Sequence, residues 1–375
     1  MSTRARVAAL CAAGALLLVL PVMARGLRWP PPQLDPAPAV QQATGPSGYT
    51  VEADGAIFVG REGDLLTFRA FVPEPVLQIQ GGRTGAQVRL CLENLHAEAT
   101  DGGWISNERG GTRRTYDYAI ADGFQQRLAP QLPARTRWRL VALGDTGAEE
   151  ELDWFLARAA ELQADFALHL GDLAYTSGGV MKAAAKFRTA PLPVFTAIGN
   201  HDFHDGSHLL HRDFVRAIGP LNSFFSLGGV DVLNLDTAAD TWPPSGGARG
   251  ALLARLAREH FDPARTLLVI THRPLVDPRP EVVAAGDSHA VDRAAESAWL
   301  RKSLVALGAD LMLHGHIHTS LDAEVDGIPV RIVGGGLGLK LDGSVDPEPQ
   351  MLVIEWETGP APVLEARWER LGAPR

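Results

Sequence analysis

The chain has 375 residues, of which 46% are hydrophobic, and its formal net charge is −9. This length and hydrophobic content allow a large buried core in one or two domains, which argues against a disordered chain. The acidic balance argues against a protein that binds nucleic acid through a broad basic face. Since Cys91 is the only cysteine outside the N-terminal apolar segment, the main body can form no intrachain disulfide.

The N-terminus has the pattern of an export signal. Arg4 and Arg6 precede an apolar run over residues 7–24, and Val22-Met23-Ala24 fits a small-x-small cleavage site. A run of this length is also near the lower limit for crossing a bilayer. We therefore expect an exported protein, periplasmic or extracellular, in which residues 1–28 are either a signal peptide or an N-terminal membrane anchor.

Two different patterns follow the leader. Residues 29–48 are rich in proline and favour an extended, polyproline-like linker, which would serve as a tether. Residues 49–137 contain short β-like runs punctuated by glycine and proline, such as the alternation of apolar Val88, Leu90 and Leu92 with polar neighbours. We expect a small β-sandwich there.

After residue 137 the pattern changes to apolar strands followed by amphipathic helices, which predicts an α/β domain over residues 138–375. A strand is expected at 140–143, and a helix follows with Leu152, Phe155, Leu156 and Ala159 at helical spacing. Ligands of such sheets bind at the carboxyl ends of the strands. Further strands are expected at residues 166–170, 194–198, 232–235, 267–270, 311–313, 330–333, 351–356 and 363–368.

Five polar clusters each follow a predicted strand. A single Gly-Asp pair is usually a plain turn, but five clusters on successive strand ends indicate a shared site. A pair of metal ions needs carboxylate, amide and imidazole ligands converging from several loops, and it can activate water for displacement at phosphorus. The clusters are Gly144-Asp145-Thr146-Gly147, Gly171-Asp172-Leu173-Ala174-Tyr175, Gly199-Asn200-His201-Asp202, Val269-Ile270-Thr271-His272 and Gly315-His316-Ile317-His318.

In this order, the clusters resemble the motif set of the calcineurin-like metallophosphoesterase superfamily. Gly147 stands where most members carry a ligand histidine, and Tyr175 closes a GDxxY pattern. That combination resembles purple acid phosphatases, in which a tyrosinate binds a ferric ion. The resemblance implies two metal ions, Fe(III) plus a divalent Fe, Zn or Mn ion, and a four-layer αββα domain preceded by a β-sandwich-like domain.

The resemblance also implies a role for each motif residue. Asp172 would bridge the two metals, and His201 would lie beside the phosphate to stabilise charge or protonate the leaving oxygen, a role that suits imidazole. Asp202 would orient a loop or a histidine, or cap the helix expected near His208. The first metal would take Asp145, Tyr175 and His318 as ligands, and the second Asn200, His272 and His316.

Other polar residues near the motifs have two readings each. His289 either contacts phosphate or is unrelated to the site, and Arg273 either binds phosphate or forms a surface ion pair. We expect Gly334-Gly335-Gly336 to form a turn rather than a nucleotide cradle. His204, His208 and His211 lie close to the motifs and are further candidates for a phosphate contact, whereas we expect His169 and His314 to be packing residues.

The expected reaction is hydrolysis of a phosphoester by metal-bound hydroxide. The GDxxY variant favours a small phosphomonoester as substrate, with the N-terminal segment as a membrane tether if it is retained. A phosphodiesterase acting on nucleotides, lipid head groups or envelope precursors is the first alternative. A non-catalytic binding protein with the same fold is a distant one, because the full set of candidate ligands is present.

Overall fold

The computed structural model describes residues 41–100, 106–203, 211–238, 247–259, 265–336 and 349–372. These residues fall within one compact unit, Pro36–Arg375. The leader and most of the proline-rich linker lie outside the described residues, so the predictions made for them stay predictions. The end of the predicted linker is wrong, because Gln42–Thr44 forms the first strand of the β-rich region and pairs with Tyr49–Asp54. Within the described ranges, no helix combines the length and apolar character needed to span a bilayer.

The N-terminal region is a β-sandwich of two sheets around one core, as predicted. In β2 the side chains of Tyr49, Val51 and Ala53 are buried while their neighbours are more exposed, the alternation of a strand with one face on a core. One sheet has the order β1-β2-β5-β9, and the other β3-β4-β6-β8-β7. The strands are β1 Gln42–Thr44, β2 Tyr49–Asp54, β3 Ala56–Glu62, β4 Leu65–Ala70, β5 Val76–Gly81, β6 Gln87–Glu93, β7 Ser106–Gly110, β8 Arg113–Ala119 and β9 Gln125–Leu128.

The remaining strands form two mixed sheets. In the first, with the order β12-β11-β10-β19-β20, the parallel strands β10 to β12 are extended by antiparallel β19 and β20. It contains β10 Arg137–Leu143, β11 Phe166–His169, β12 Val194–Thr196, β19 Gln350–Glu357 and β20 Glu365–Arg370. The second sheet has the order β13-β14-β15-β16-β18-β17. It contains β13 Ser223–Leu227, β14 Val230–Asn234, β15 Thr266–Thr271, β16 Ala309–His314, β17 Ser320–Val325 and β18 Ile328–Val333.

Helices cover the outer faces of both sheets. In α1 the buried side chains Leu152, Phe155 and Leu156 belong to a core that also holds residues of both sheets, such as Leu140 and Ile270. A second core joins the other face of the second sheet to α4 and α6. The result is the predicted four-layer αββα arrangement. The helices are α1 Glu150–Glu161, α2 Gly179–Arg188, α3 His211–Ala217, α4 Gly247–Glu259, α5 Pro280–Ala284 and α6 Ala294–Ala306, with a 3-10 turn at His201–Phe203.

Candidate metal centre

The five predicted clusters meet at one edge of the two sheets. Asp145 follows β10, Asp172 follows β11, and Asn200 follows β12, three parallel strands of the first sheet. His272 follows β15 and His316 follows β16, two parallel strands of the second. Because parallel strands end at the same edge, residues far apart in sequence reach one place.

Three of the candidate ligands have an unusual backbone conformation. Asp145, Asp172 and His316 all have left-handed backbones, with φ of +63°, +56° and +66°, a conformation that is strained for most residues and clusters at functional sites. The loops also approach one another closely. A Cβ atom at Gly199 would lie 2.0 Å from the backbone nitrogen of Asp172, so only glycine fits there.

Three predicted ligands form one group, which we call the tyrosine cluster: Asp145, Tyr175 and His318. The Tyr175 hydroxyl lies 3.5 Å from Asp145 Oδ1 and 3.2 Å from His318 Nε2. His318 Nε2 in turn lies 3.5 Å from Asp145 Oδ1. The cluster therefore offers a carboxylate, a phenol and an imidazole around one point.

The other three ligands form the amide cluster: Asn200, His272 and His316. Asn200 Oδ1 lies 2.9 Å from His272 Nε2, and the His272 and His316 rings are 5.1 Å apart. Potential ligand atoms of Asp172, His272 and His316 all lie within 4.8 Å of one another. Asp172 therefore lies beside the amide cluster, with Oδ1 3.3 Å from His272 Nε2, and its role as a bridge stays a prediction.

Hydrogen bonding fixes the ring of His272 for metal binding. Its Nδ1 lies 2.8 Å from the carbonyl oxygen of Leu170, so this nitrogen donates and Nε2 keeps the lone pair. That lone pair faces Asn200 Oδ1 and Asp172 Oδ1, which are also acceptors. Three acceptors converge here, and a cation between them would bind all three.

The charges also fit metal ions. Asp145, Asp172 and Asp202 are at most 1% exposed, and Asp172 Oδ2 has no hydrogen-bond partner among the described residues. Burial raises the pKa of Asp145, and burial together with the nearby Asp172 charge raises that of Asp202 to about 8. Burial opposes a charge on His272 as well, yet the adjacent Asp172 and Asp145 raise its pKa to about 9, so a positive charge is favoured at this point; a metal ion would supply that charge with the ring neutral and the Nε2 lone pair free to bind it. Buried acid groups of this kind call for a positive partner, and the donor set suits two metal ions.

Asp202 performs the first of its predicted roles, because it orients loops. Its Oδ2 accepts hydrogen bonds from the backbone nitrogens of Gly199, at 2.7 Å, and Asp172, at 3.1 Å. It thereby joins the loop that carries Asn200 to the loop that carries Asp172.

The histidines expected to be packing residues are buried and have a further function in the loops. His169 Nε2 lies 2.9 Å from Thr146 Oγ1, and His314 Nδ1 lies 2.6 Å from Thr271 Oγ1. Burial lowers the pKa of both rings to about 3, so both are neutral. Each of these two contacts joins a histidine at the end of a strand to a threonine that neighbours a candidate ligand in the sequence.

Three side chains approach the ligands from the side of the solvent. The His201 side chain is exposed and its ring lies 4.6 Å from that of Tyr175. The His289 ring lies 5.7 Å from that of His316, so the structure brings His289 to the site. Burial lowers the pKa of His316 to about 2, and the positive charge of the nearby Arg273 contributes to this shift. Arg273 also pairs with Asp292 at 3.3 Å.

Other residues that the sequence analysis singled out have mixed outcomes. His204 and His208 lie outside the described residues, and His211 is buried in α3. The triple glycine forms the predicted turn, but it also packs against the site: a Cβ atom at Gly334 would lie 2.9 Å from Asp145 Oδ2.

Comparison with known proteins gave the following matches. The family model of calcineurin-like phosphoesterases matches residues 139–320, and no curated protein sequence matches the chain. Similar solved structures include a purple acid phosphatase from yellow lupin (Lupinus luteus) seeds, with 15% identity, a TM-score of 0.48, and coverage of 79% of this chain and 70% of that one. The anchor in the inner membrane complex of Plasmodium has 13% identity and a TM-score of 0.43, with coverage of 64% and 90%. A dimetal phosphatase from Danio rerio has 11% identity and a TM-score of 0.38, with coverage of 63% and 99%.

Proposed function

This chain belongs to the calcineurin-like phosphoesterase family through residues 139–320, and on that premise we propose that it is an exported phosphomonoesterase with two metal ions. The observation that carries the proposal is the placement of the tyrosine cluster and the amide cluster beside the shared carboxylate of Asp172. The proposal of export rests on the leader sequence, and N-terminal sequencing of protein recovered outside the cytoplasm tests it.

Each cluster would hold one ion. When bound, the pair would lower the pKa of a water molecule between them and stabilise negative charge at phosphorus. Asp172 would serve both ions, because its Oδ1 faces His272 while its Oδ2 lacks a protein partner within the described ranges. The phenol oxygen of Tyr175 is a hard ligand when ionised, which favours Fe(III) in the tyrosine cluster and a divalent Fe, Zn or Mn ion in the amide cluster.

His201 is placed to act on the substrate. Its backbone nitrogen donates to Asp172 Oδ1 at 2.9 Å, which fixes the start of the 3-10 turn, while its side chain stays exposed beside Tyr175. An imidazole in this position would donate a proton to the leaving oxygen or a hydrogen bond to the phosphate.

The side chains near the amide cluster favour a monoester over a diester. A phosphomonoester dianion carries more charge and more free oxygens than a diester, so it gains more from nearby donors. Arg273 and His289 both lie close to His316 and supply such donors. Asp277 accepts a hydrogen bond from the His289 backbone nitrogen at 2.8 Å and holds that donor in place.

The test combines metal analysis, a visible spectrum and two parallel assays, on nitrophenyl phosphate and bis-nitrophenyl phosphate. We expect two metals per chain, a visible absorption band and a higher kcat/KM for the monoester. Tyr175→Phe should remove the band, because the charge transfer needs the phenolate. Two metals with a preference for the diester would replace the proposal with a phosphodiesterase. Absence of turnover in the metal-loaded protein would support a binding protein.

A further inference from the structure

Strand β12 forms one edge of the first sheet and leads directly into the site. Among the strands that the structure describes, it pairs only with β11, so the backbone groups of Val194 that point away from β11 need other partners. Asn200 and His201 follow a few residues later. Between the end of β12 and Asn200, Ala197 and Ile198 are buried, so this segment has little room to move independently.

The β-sandwich supplies the missing partners through one side chain. Val194 N donates to Asn94 Oδ1 at 2.8 Å, and Asn94 Nδ2 donates to Val194 O at 3.0 Å. The amide group thus pairs with the edge as a neighbouring strand would. Asn94 Nδ2 also lies 2.9 Å from the carbonyl oxygen of Ala70, and Arg69 Nη2 lies 3.1 Å from that of Val194.

Asn94 is held in an unusual conformation for this contact. It directly follows β6, its exposed fraction is 2%, and its φ is +68°, in the left-handed region. Asparagine tolerates this region better than most residues. The sandwich therefore projects a preoriented amide onto the strand that leads to the site.

We propose that Asn94 is a positioning residue for hydrolysis: by fixing β12 it places Asn200 and His201, and it makes the β-sandwich part of the catalytic unit. The path along the chain from Val194 to Asn200 is short, and two hydrogen bonds hold the segment between them against its neighbours. Ala197 N donates to His169 O at 2.8 Å, and Gly199 N donates to Asp202 at 2.7 Å. A shift at Val194 therefore moves the loop that carries the amide cluster and the substrate-facing histidine.

The test compares Asn94→Gly with a matched control, Thr112→Val. Glycine keeps the left-handed backbone but removes the amide, whereas Thr112→Val removes another buried contact between the sandwich and the α/β domain, Thr112 Oγ1 to Ala190 O at 3.2 Å. Both variants should lower Tm by about 3–8 °C, because each loses buried hydrogen bonds.

Only Asn94→Gly should change the site. We expect its kcat on the best nitrophenyl ester of the wild type to fall about tenfold or more at saturating metal, with KM within about threefold. Hydrogen exchange of the peptide over residues 195–203 should become faster, and less of the second metal should survive dialysis. Thr112→Val should match the wild type in all three measurements. Since either nitrophenyl ester serves, the test is independent of monoester preference.

Equal kcat and equal exchange in the two variants would overturn the proposal. If Asn94→Gly does not fold, Asn94→Asp takes its place, because it keeps the acceptor for Val194 N and loses the donor to Val194 O. We expect its kcat to fall about threefold or more and the exchange of residues 195–203 to increase. Wild-type values for Asn94→Asp would reject the role as well.

Discussion

At the residue scale, the roles proposed for Asp172 and His201 predict different effects of their variants on metal content. Asp172→Asn should lower the metal content below one ion per chain and abolish activity, because an amide cannot supply the negative charge that both clusters share. His201→Ala should keep both metals and lose about 10²–10⁴-fold in kcat, since its side chain is expected to act only on the substrate. Metal analysis after dialysis and kcat measurement check both. An Asp172→Asn protein with two ions would contradict the assignment.

The sequence allowed the candidate ligands to be predicted but not the residues that orient them. The ligands each follow an apolar run, so their order and type are visible in the chain. The bond between Thr146 and His169, and that between Thr271 and His314, join segments whose spacing carries no recognisable signal. The close approach of Gly334 to Asp145 also depends on where two distant loops meet.

At the element scale, most strands of the α/β domain were predictable because they are apolar runs long enough to be buried, and the helix over Glu150–Glu161 has a clear apolar face. β13 and β17 lack such a run and were not predicted. The order of the strands within each sheet could not be predicted. β19 lies between β10 and β20, although nearly the whole domain separates it from β10 in sequence. The contact of Asn94 with β12 was likewise not predictable, although asparagine is a residue type that tolerates its left-handed conformation.

The loop after β15 gives a prediction at this scale. Burial alone would raise the pKa of Asp277, but hydrogen bonds from the Arg279 side chain and from the backbone nitrogens of His289 and Arg279 lower it to about 2. A carboxyl with a depressed pKa stabilises the folded state above its unfolded pKa, and the contribution disappears as the pH falls through the folded value.

Asp277→Asn should therefore cost about 1–2 kcal/mol of unfolding free energy at pH 6. The difference from the wild type should shrink between about pH 4 and pH 2, as the carboxyl in the wild type becomes protonated. Urea denaturation at a series of pH values measures it. A constant difference down to pH 2 would show that the carboxylate charge is not what holds the loop.

At the scale of the whole molecule, the sandwich and the α/β domain share a polar interface, which is buried at His96 and Asp165 and half-exposed at Arg188. Besides the amide of Asn94, it contains His96 Nε2 at 3.4 Å from Asp165 Oδ1, and Arg188 Nε at 3.2 Å from Glu93 Oε1. Separating the two parts would break these contacts and expose their groups to water, which loses about 1 kcal/mol for each hydrogen bond. We therefore expect one calorimetric unfolding transition, with equal calorimetric and van't Hoff enthalpies.

Variants at the interface make this expectation specific. In the wild type the two parts should unfold together, because neither can lose the interface without exposing Val194 and its partners. Asn94→Gly weakens the contact without touching either core, so its transition should broaden or split while the spectroscopic signals of the two parts separate in temperature. Two resolved transitions in the wild type would instead mean that the sandwich folds independently. The α/β layers alone would then hold the site residues in position.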